Sequence, residues 1–308
     1  MREQAVLFGP ERSLVGVVTD PAESKRRNDC PQVILLNSGI VHRVGPNRIY
    51  VKMARHLAAL GFVVLRFDFS GIGDSQPRRD HLPFVNSAIS EVQDAMDFLA
   101  RTRAARDFLL IGSCSGARVS FQAACQDSRI IGAFLINHIT FLPDANTQSK
   151  SENLMKASAS YYWRFAFVSP ESWVRFFTGK ADYKRIARAL RFQLKRPFTP
   201  EKLAGETVEF RAQLRELAQR QVRMLFVWSE GDSGATELSG VEGLRSTSIG
   251  WQLIPKTDHT FSSLHDQMHL LNSLDHWARP WRTPIVRRDP IAIRNSVEVD
   301  KPLTAAPL

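Results

Sequence analysis

The chain has 308 residues, 44% hydrophobic and 23% charged, with a formal net charge of +10. Such a length and balance permit a sizeable folded core and exclude a disordered or fibrous chain. Charges interrupt the N-terminal residues early, and no uncharged stretch approaches a membrane span, so a cytoplasmic protein without a transmembrane segment is expected.

The basic excess is not accompanied by zinc-finger spacing, an RRM signature or a basic-aromatic strand pattern, so nucleic acid is not expected as a partner. Cys30, Cys114 and Cys125 are an odd number at scattered positions with no CxxC pair. That spacing argues against a disulfide framework and a structural zinc site, and no metal or cofactor is expected.

Along the chain, two alternating runs, Ala5 to Gly9 and Leu14 to Thr19, flank "PER" and predict a hairpin. "QVILLNSG" is a continuous apolar run and reads as a buried strand. "NRIYVKMARHLAALGF" predicts a helix with Ile49, Met53, His56 and Leu57 on one face and Gly61 as its stop. The alternation then continues: strand "FVVLRFDFSG", helix "NSAISEVQDAMDFLARTRA", strand "DFLLIGS", helix "CSGARVSFQAACQ", strand "RIIGAFLIN". Further on, "QVRMLFVWS" and "WQLIPK" read as strands, each followed by helical sequence. Strands alternating with helices predict an α/β fold with a mostly parallel sheet covered on both faces.

Residues 141–220 break this rhythm, being aromatic, basic and helical in period, and are expected to form a helical lid inserted between two strands. The core is then expected over 1–140 and 221–280. The segment 281–308, with Pro and scattered charge, reads as a peripheral tail.

"LLIGSCSGARVSFQAA" is a strand, a G-x-C-x-G frame and a helix, which is the arrangement of a nucleophile elbow. The turn is so sharp that residues two places to either side must lack side chains, and only the central residue, Cys114, projects into a site. A thiol at a helix N-terminus that can pair with a histidine is favoured as thiolate. Ser115 follows it, and its backbone N–H is available to an oxyanion. An elbow calls for an acid and then a histidine further along the chain. "MLFVWSEGDSG" offers Glu230 and Asp232, of which Asp232, deeper in the loop, is favoured. "LIPKTDHTF" offers His259 as the base, with Asp258 structural and His42, near "NSGIV", in reserve.

These motifs together resemble the α/β-hydrolase superfamily. "RFDFSGIGDS" is similar to the turn after the fourth strand of that fold, and "KTDHTF" to its catalytic-histidine segment. More narrowly, "LLNSGIVHRVGPNRIYVKMARHLAALGFVVLRFDFSGIGDS" and "FVWSEGDSG" resemble hydrolases associated with exosortase systems and biosynthetic clusters, some of which carry cysteine at the elbow. The resemblance implies Cys114 as nucleophile, His259 as general base and acid, and Asp232 as the orienting carboxylate. It also implies oxyanion donors from Ser115 and from the Ser38-Gly39-Ile40 turn. The sequence departs from the family in having Ser38-Gly39 in place of His-Gly, and in having at Cys114 a cysteine, as dienelactone hydrolases do, where most relatives have serine.

The chemistry expected is hydrolysis of an ester or thioester, or acyl transfer, through a thioester acyl-enzyme. The aromatics Tyr161, Tyr162, Trp163, Phe165, Phe167, Trp173, Phe176 and Phe177 either line an acyl site or hold the lid to the body. Lys184, Arg188, Arg191 and Lys195 share a helical face that is either solvated or docks an acidic acyl-carrier protein delivering the substrate. Two other readings stand beside these: a catalytically silent binding or scaffold protein on the same fold, and a redox-sensing thiol, for which no resolving cysteine is evident.

Overall fold

Runs such as Val33–Ile34–Leu35–Leu36, buried on every residue, can be satisfied only in a strand covered on both sides. A computed structural model describes residues 1–27, 30–80, 82, 84–138, 200–231 and 246–282, with side chains of the helix that starts at Pro200 described from 208 onward. The apolar runs form β1 (Arg2–Phe8), β2 (Leu14–Asp20), β3 (Gln32–Leu36), β4 (Val64–Phe67), β5 (Phe108–Ser113), β6 (Ile130–Ile136), β7 (Arg223–Ser229) and β8 (Ile249–Ile254). Among the described residues these make one eight-stranded sheet in the order β1-β2-β4-β3-β5-β6-β7-β8. The hairpin β1–β2 pairs antiparallel, β2 pairs antiparallel with β4, and every pairing from β4 across to β8 is parallel.

Five α-helices are described: α1 (Ile49–Ala59), α2 (Phe84–Arg103), α3 (Ser115–Gln126), α4 (Pro200–Gln219) and α5 (Leu264–Ala278). The pleat of β3 shows how they are distributed. Val33 and Leu35 pack with Ile49, Met53 and Leu57 of α1 and Leu270 and Leu274 of α5. Ile34 and Leu36 pack on the opposite face with α2, α3 and α4. No helix among the described residues is long and apolar enough to cross a membrane.

Three sequence expectations are corrected. Within the 141–220 segment expected to be a lid, α4 is part of the core: Phe210, Leu214 and Leu217 are buried, with Phe210 against Phe121 and Phe226. A helical period alone does not distinguish a lid helix from the crossover helix that must join parallel β6 to β7. The body also extends past 280, because Trp281 is buried, packs on Trp277 and fills the space beside Gly132. In α1 the inward position goes to Tyr50, fully buried, while His56 is half-exposed and faces Asp275 at 3.5 Å. The expectations for 141–199, including the lid aromatics, and for 283–308 fall outside the described residues.

The strand order also places the site. From β3 the chain moves outward to β4 and then crosses back past β3 to β5, after which it proceeds the other way to β6. The carboxyl ends of β3 and β5 therefore flank a topological switch point, where open α/β sheets bind ligands. Ser38-Gly39-Ile40 follows β3 there, and Cys114 follows β5.

Candidate active site

Cys114 is the residue between β5 and α3, with φ 55° and ψ −115°, a left-handed backbone unusual for anything but glycine. Its N–H donates to the carbonyl of Ile136 at 2.8 Å, and it is 4% exposed. The flanking glycines are compulsory. A Cβ on Gly112 would lie 2.3 Å from the backbone of Gly116, and one on Gly116 would lie 2.4 Å from the carbonyl oxygen of Asn37. These contacts are what the spacing G-x-C-x-G encodes. The other two cysteines are otherwise engaged: Cys30 Sγ donates to the Trp281 carbonyl at 3.2 Å, and burial beside Glu216 pushes the Cys125 thiol up to about 12.

Ser115 does more than follow the nucleophile. Its Oγ accepts the Gly39 N–H at 2.7 Å, tying the loop after β3 to the first turn of α3 across the switch point. That bond occupies Gly39, whose φ of 55° shapes the turn in which Val41 N–H donates to the Ser38 carbonyl at 3.0 Å. The Ile40 amide has no acceptor among the described residues, and the Ser115 amide is one of the first in α3, which lack intrahelical acceptors. Ser38 is buried at the base of the turn, and His42 is exposed just beyond it.

The loop is braced from below by the "RFDFSGIGDS" segment. Buried Asp68 accepts the Arg43 N–H at 2.5 Å, the Asp74 N–H at 3.2 Å and Asn37 Nδ2 at 3.3 Å, and it forms an ion pair with the Arg43 guanidinium. Arg43 also pairs with Asp74 at 2.6 Å. Gly73, at φ 53°, has no room for a side chain because its Cβ would meet Asp68 Oδ2 at 2.2 Å. The motif is therefore a scaffold for the loop after β3.

On the other side, Asn137 directly follows β6 with φ 48°, one residue past the Ile136 carbonyl that holds Cys114. Its Nδ2 donates to the His259 carbonyl at 2.9 Å, and its Oδ1 accepts the N–H of Ser229 at 2.8 Å and the Ser229 hydroxyl at 3.3 Å. The last residue of β6 and the one that follows it thus anchor the backbones of Cys114 and His259. The loop after β7 is fastened to the same histidine segment: the Gly231 N–H donates to the Thr257 carbonyl at 2.9 Å, and Glu230 accepts the Lys256 N–H at 2.6 Å. Glu230 is thereby committed to the Lys256 backbone. Asp232, the next residue after Gly231, lies outside the described residues. Asp258 organises the turn around His259, accepting from Thr260 N–H and Oγ1, both at 2.7 Å, and from Ser262. Although burial alone would raise its carboxyl, the hydrogen bonds from Ser262 and Thr260 hold it below the ordinary value.

Two contributors escaped the sequence reading. Asn137 carried a signal, since "AFLIN" places an amide at the end of a buried strand, as "VILLN" does at Asn37. Tyr50 carried none beyond helical period; its buried hydroxyl accepts the Ser113 N–H at 3.1 Å immediately below Cys114. Burial, reinforced by the charge Cys114 would carry as a thiolate, pushes that phenol above its usual value and keeps it neutral. His138 is also buried, among Phe121, Phe210 and Phe226, and burial with nearby Arg118 pushes it down to about 3.

Residues 32–193 match the family described as Serine aminopeptidase, S33 (Hydrolase_4). No curated protein matches the chain. Among solved structures, similarity extends to XC6422 of Xanthomonas campestris, an α/β serine hydrolase without a lid, at 15% identity and a TM-score of 0.53, covering 91% of this chain and 94% of that one. The α/β hydrolase GrgF of Penicillium sp. sh18 aligns at 14% identity and a TM-score of 0.56, covering 92% and 99%. The esterase domain of a Rhodothermus marinus protein aligns at 16% identity and a TM-score of 0.55, covering 92% and 100%. At these identities the likeness is one of fold, and the fold is that of the α/β-hydrolases.

Proposed function

Because the chain belongs to the Hydrolase_4 family (Serine aminopeptidase, S33), an α/β-hydrolase family, we propose that it is a hydrolase in which cysteine replaces the serine nucleophile, acting on an ester or thioester. The observation that carries this reading is the backbone of Cys114, left-handed between two glycines that cannot bear a side chain. Strain of that kind persists only where the surrounding structure enforces it, and it concentrates at functional sites.

In this mechanism His259 takes the Cys114 proton, the thiolate attacks the acyl carbon, and the tetrahedral oxyanion is held by the Ser115 and Ile40 amides. Collapse expels the alcohol or thiol, which receives the proton from His259. Water, activated by the same imidazole, then attacks the thioester and releases the acid; another acceptor in place of water gives acyl transfer. Asp232 is the carboxylate that orients His259, supported by the bond between its neighbour Gly231 and Thr257. A place among the exosortase-associated hydrolases, and delivery of the acyl group by an acidic carrier protein docking on Arg188 and Arg191, belong to the same reading and rest on sequence alone.

The test is intact-protein mass spectrometry after incubation with a p-nitrophenyl acyl ester and with an acyl thioester, comparing wild type, Cys114→Ala and His259→Ala. An acyl adduct on the wild type that is absent from Cys114→Ala is the expected result. An adduct that persists in Cys114→Ala refutes the nucleophile, and no adduct or turnover with any donor leaves the scaffold reading in its place.

A further inference from the structure

Outside the site, α5 carries two histidines one turn apart on its exposed surface. His265 and His269 stand at i and i+4, their ring centroids 4.4 Å apart and their planes inclined at 69°. Their Nε2 atoms converge to 3.2 Å, so one ring donates to the other. Imidazole nitrogens bind late first-row divalent ions at about 2.0–2.1 Å, and two such nitrogens 3.2 Å apart subtend roughly 100° at the ion. That angle lies between the roughly 90° of square-planar or octahedral sites and the roughly 109° of a tetrahedral one. Asp266 Oδ1 lies 3.7 Å from His265 Nδ1, longer than a hydrogen bond but close enough for its charge to favour the Nδ1–H tautomer, which leaves Nε2 free to ligate. Asp266 is itself fixed, its N–H donating to the N-cap Ser263 Oγ at 3.1 Å.

We propose that His265 and His269 form a two-point chelate for a divalent transition-metal ion of the nickel, copper and zinc group, with water completing the shell. The ion takes the place of the proton shared between the rings. The ring that donates through Nε2 moves its proton to Nδ1, so both neutral imidazoles ligate and the proton count is unchanged. No cluster of three or more His, Cys, Asp or Glu suited to a metal occurs among the described residues, so the site is an open one with exchangeable positions. It closes one turn of α5, whose first residue follows the His259 turn by five positions, and so binds the folded helix in preference to the unfolded chain.

The experiment is calorimetric titration of tag-free, full-length protein with NiCl2 and with ZnCl2 in a non-chelating buffer, alongside thermal unfolding with and without the metal. The expected result is one equivalent bound, with a rise in Tm. His265→Ala and His269→Ala, exposed helix positions where alanine is well tolerated, should each weaken it on the order of 10²-fold, the loss of the intramolecular second ligand. His276→Ala, in the last turn of the same helix, should bind as the wild type does. Absence of binding to the wild type, or binding unchanged in His265→Ala and His269→Ala, overturns the proposal; a metal held by Cys114 or His259 would survive in both variants and is thereby distinguished.

Discussion

Replacing Asn137 by glycine tests the claim that one amide side chain holds two parts of the site together. Glycine suits the φ of 48° at this position, so the change removes side-chain bonds without adding backbone strain. Three hydrogen bonds are lost, to the His259 carbonyl and to the N–H and hydroxyl of Ser229. Ser229 is fully buried, and leaving its N–H unpaired costs about 1–3 kcal/mol. The His259 carbonyl lies in a partly exposed turn where water can replace the bond, so it adds about 1 kcal/mol. A total of about 2–4 kcal/mol lowers Tm by roughly 3–6 °C in a protein of this size. Freed from Asn137, the His259 turn shifts relative to Cys114, and a displacement near 1 Å costs on the order of 10²-fold in rate. The assay is thermal unfolding together with kcat and KM on a p-nitrophenyl ester, with kcat falling and KM holding. A kcat within twofold of wild type, in folded protein, would refute the positioning argument; an unchanged Tm would refute the energetics.

Gly116→Ala should prevent the elbow from closing, because its Cβ meets main-chain oxygens of both Asn37 and Leu36; a loss of about 1–3 kcal/mol in urea unfolding and no acyl adduct are expected. Ser115→Ala removes the acceptor of the Gly39 N–H and should slow turnover about tenfold while the adduct still forms on Cys114, as measured by mass spectrometry and steady-state kinetics. His138 is held at about 3 against an ordinary 6.5, so between those values the unfolded chain binds a proton that the folded chain refuses. Stability should therefore fall as pH drops from 6.5 towards 3, by up to about 1.4 kcal/mol per pH unit. His138→Phe, surrounded by Phe121, Phe210 and Phe226, should flatten that slope in urea midpoints measured across the same range.

Much of this was legible in one dimension because the constraints are local. A strand buried on both faces must be apolar at every residue, and Val33 to Leu36 are. A strand-to-helix turn as tight as that at Cys114 excludes side chains two residues either way, so Gly112 and Gly116 announce it without any knowledge of what surrounds them. The glycine and serine of "RFDFSGIGDS" are similarly dictated by Asp68, five and seven residues away.

What only the tertiary structure decided depends on partners distant in sequence. Ser115 reads as an elbow residue, yet its hydroxyl is spent on Gly39, 76 positions earlier, and that bond removes one amide from the turn offered for an oxyanion. Asn137 reaches His259 across 122 positions, and Tyr50 meets Ser113 across 63. Helix α4 has the same period in a lid as in a core; its place was settled by the face of the sheet left for Phe210 and Leu217 to cover. Periodicity and glycine spacing record what a segment demands of itself, whereas a hydrogen bond between segments is fixed only once the parallel sheet has set their ends side by side.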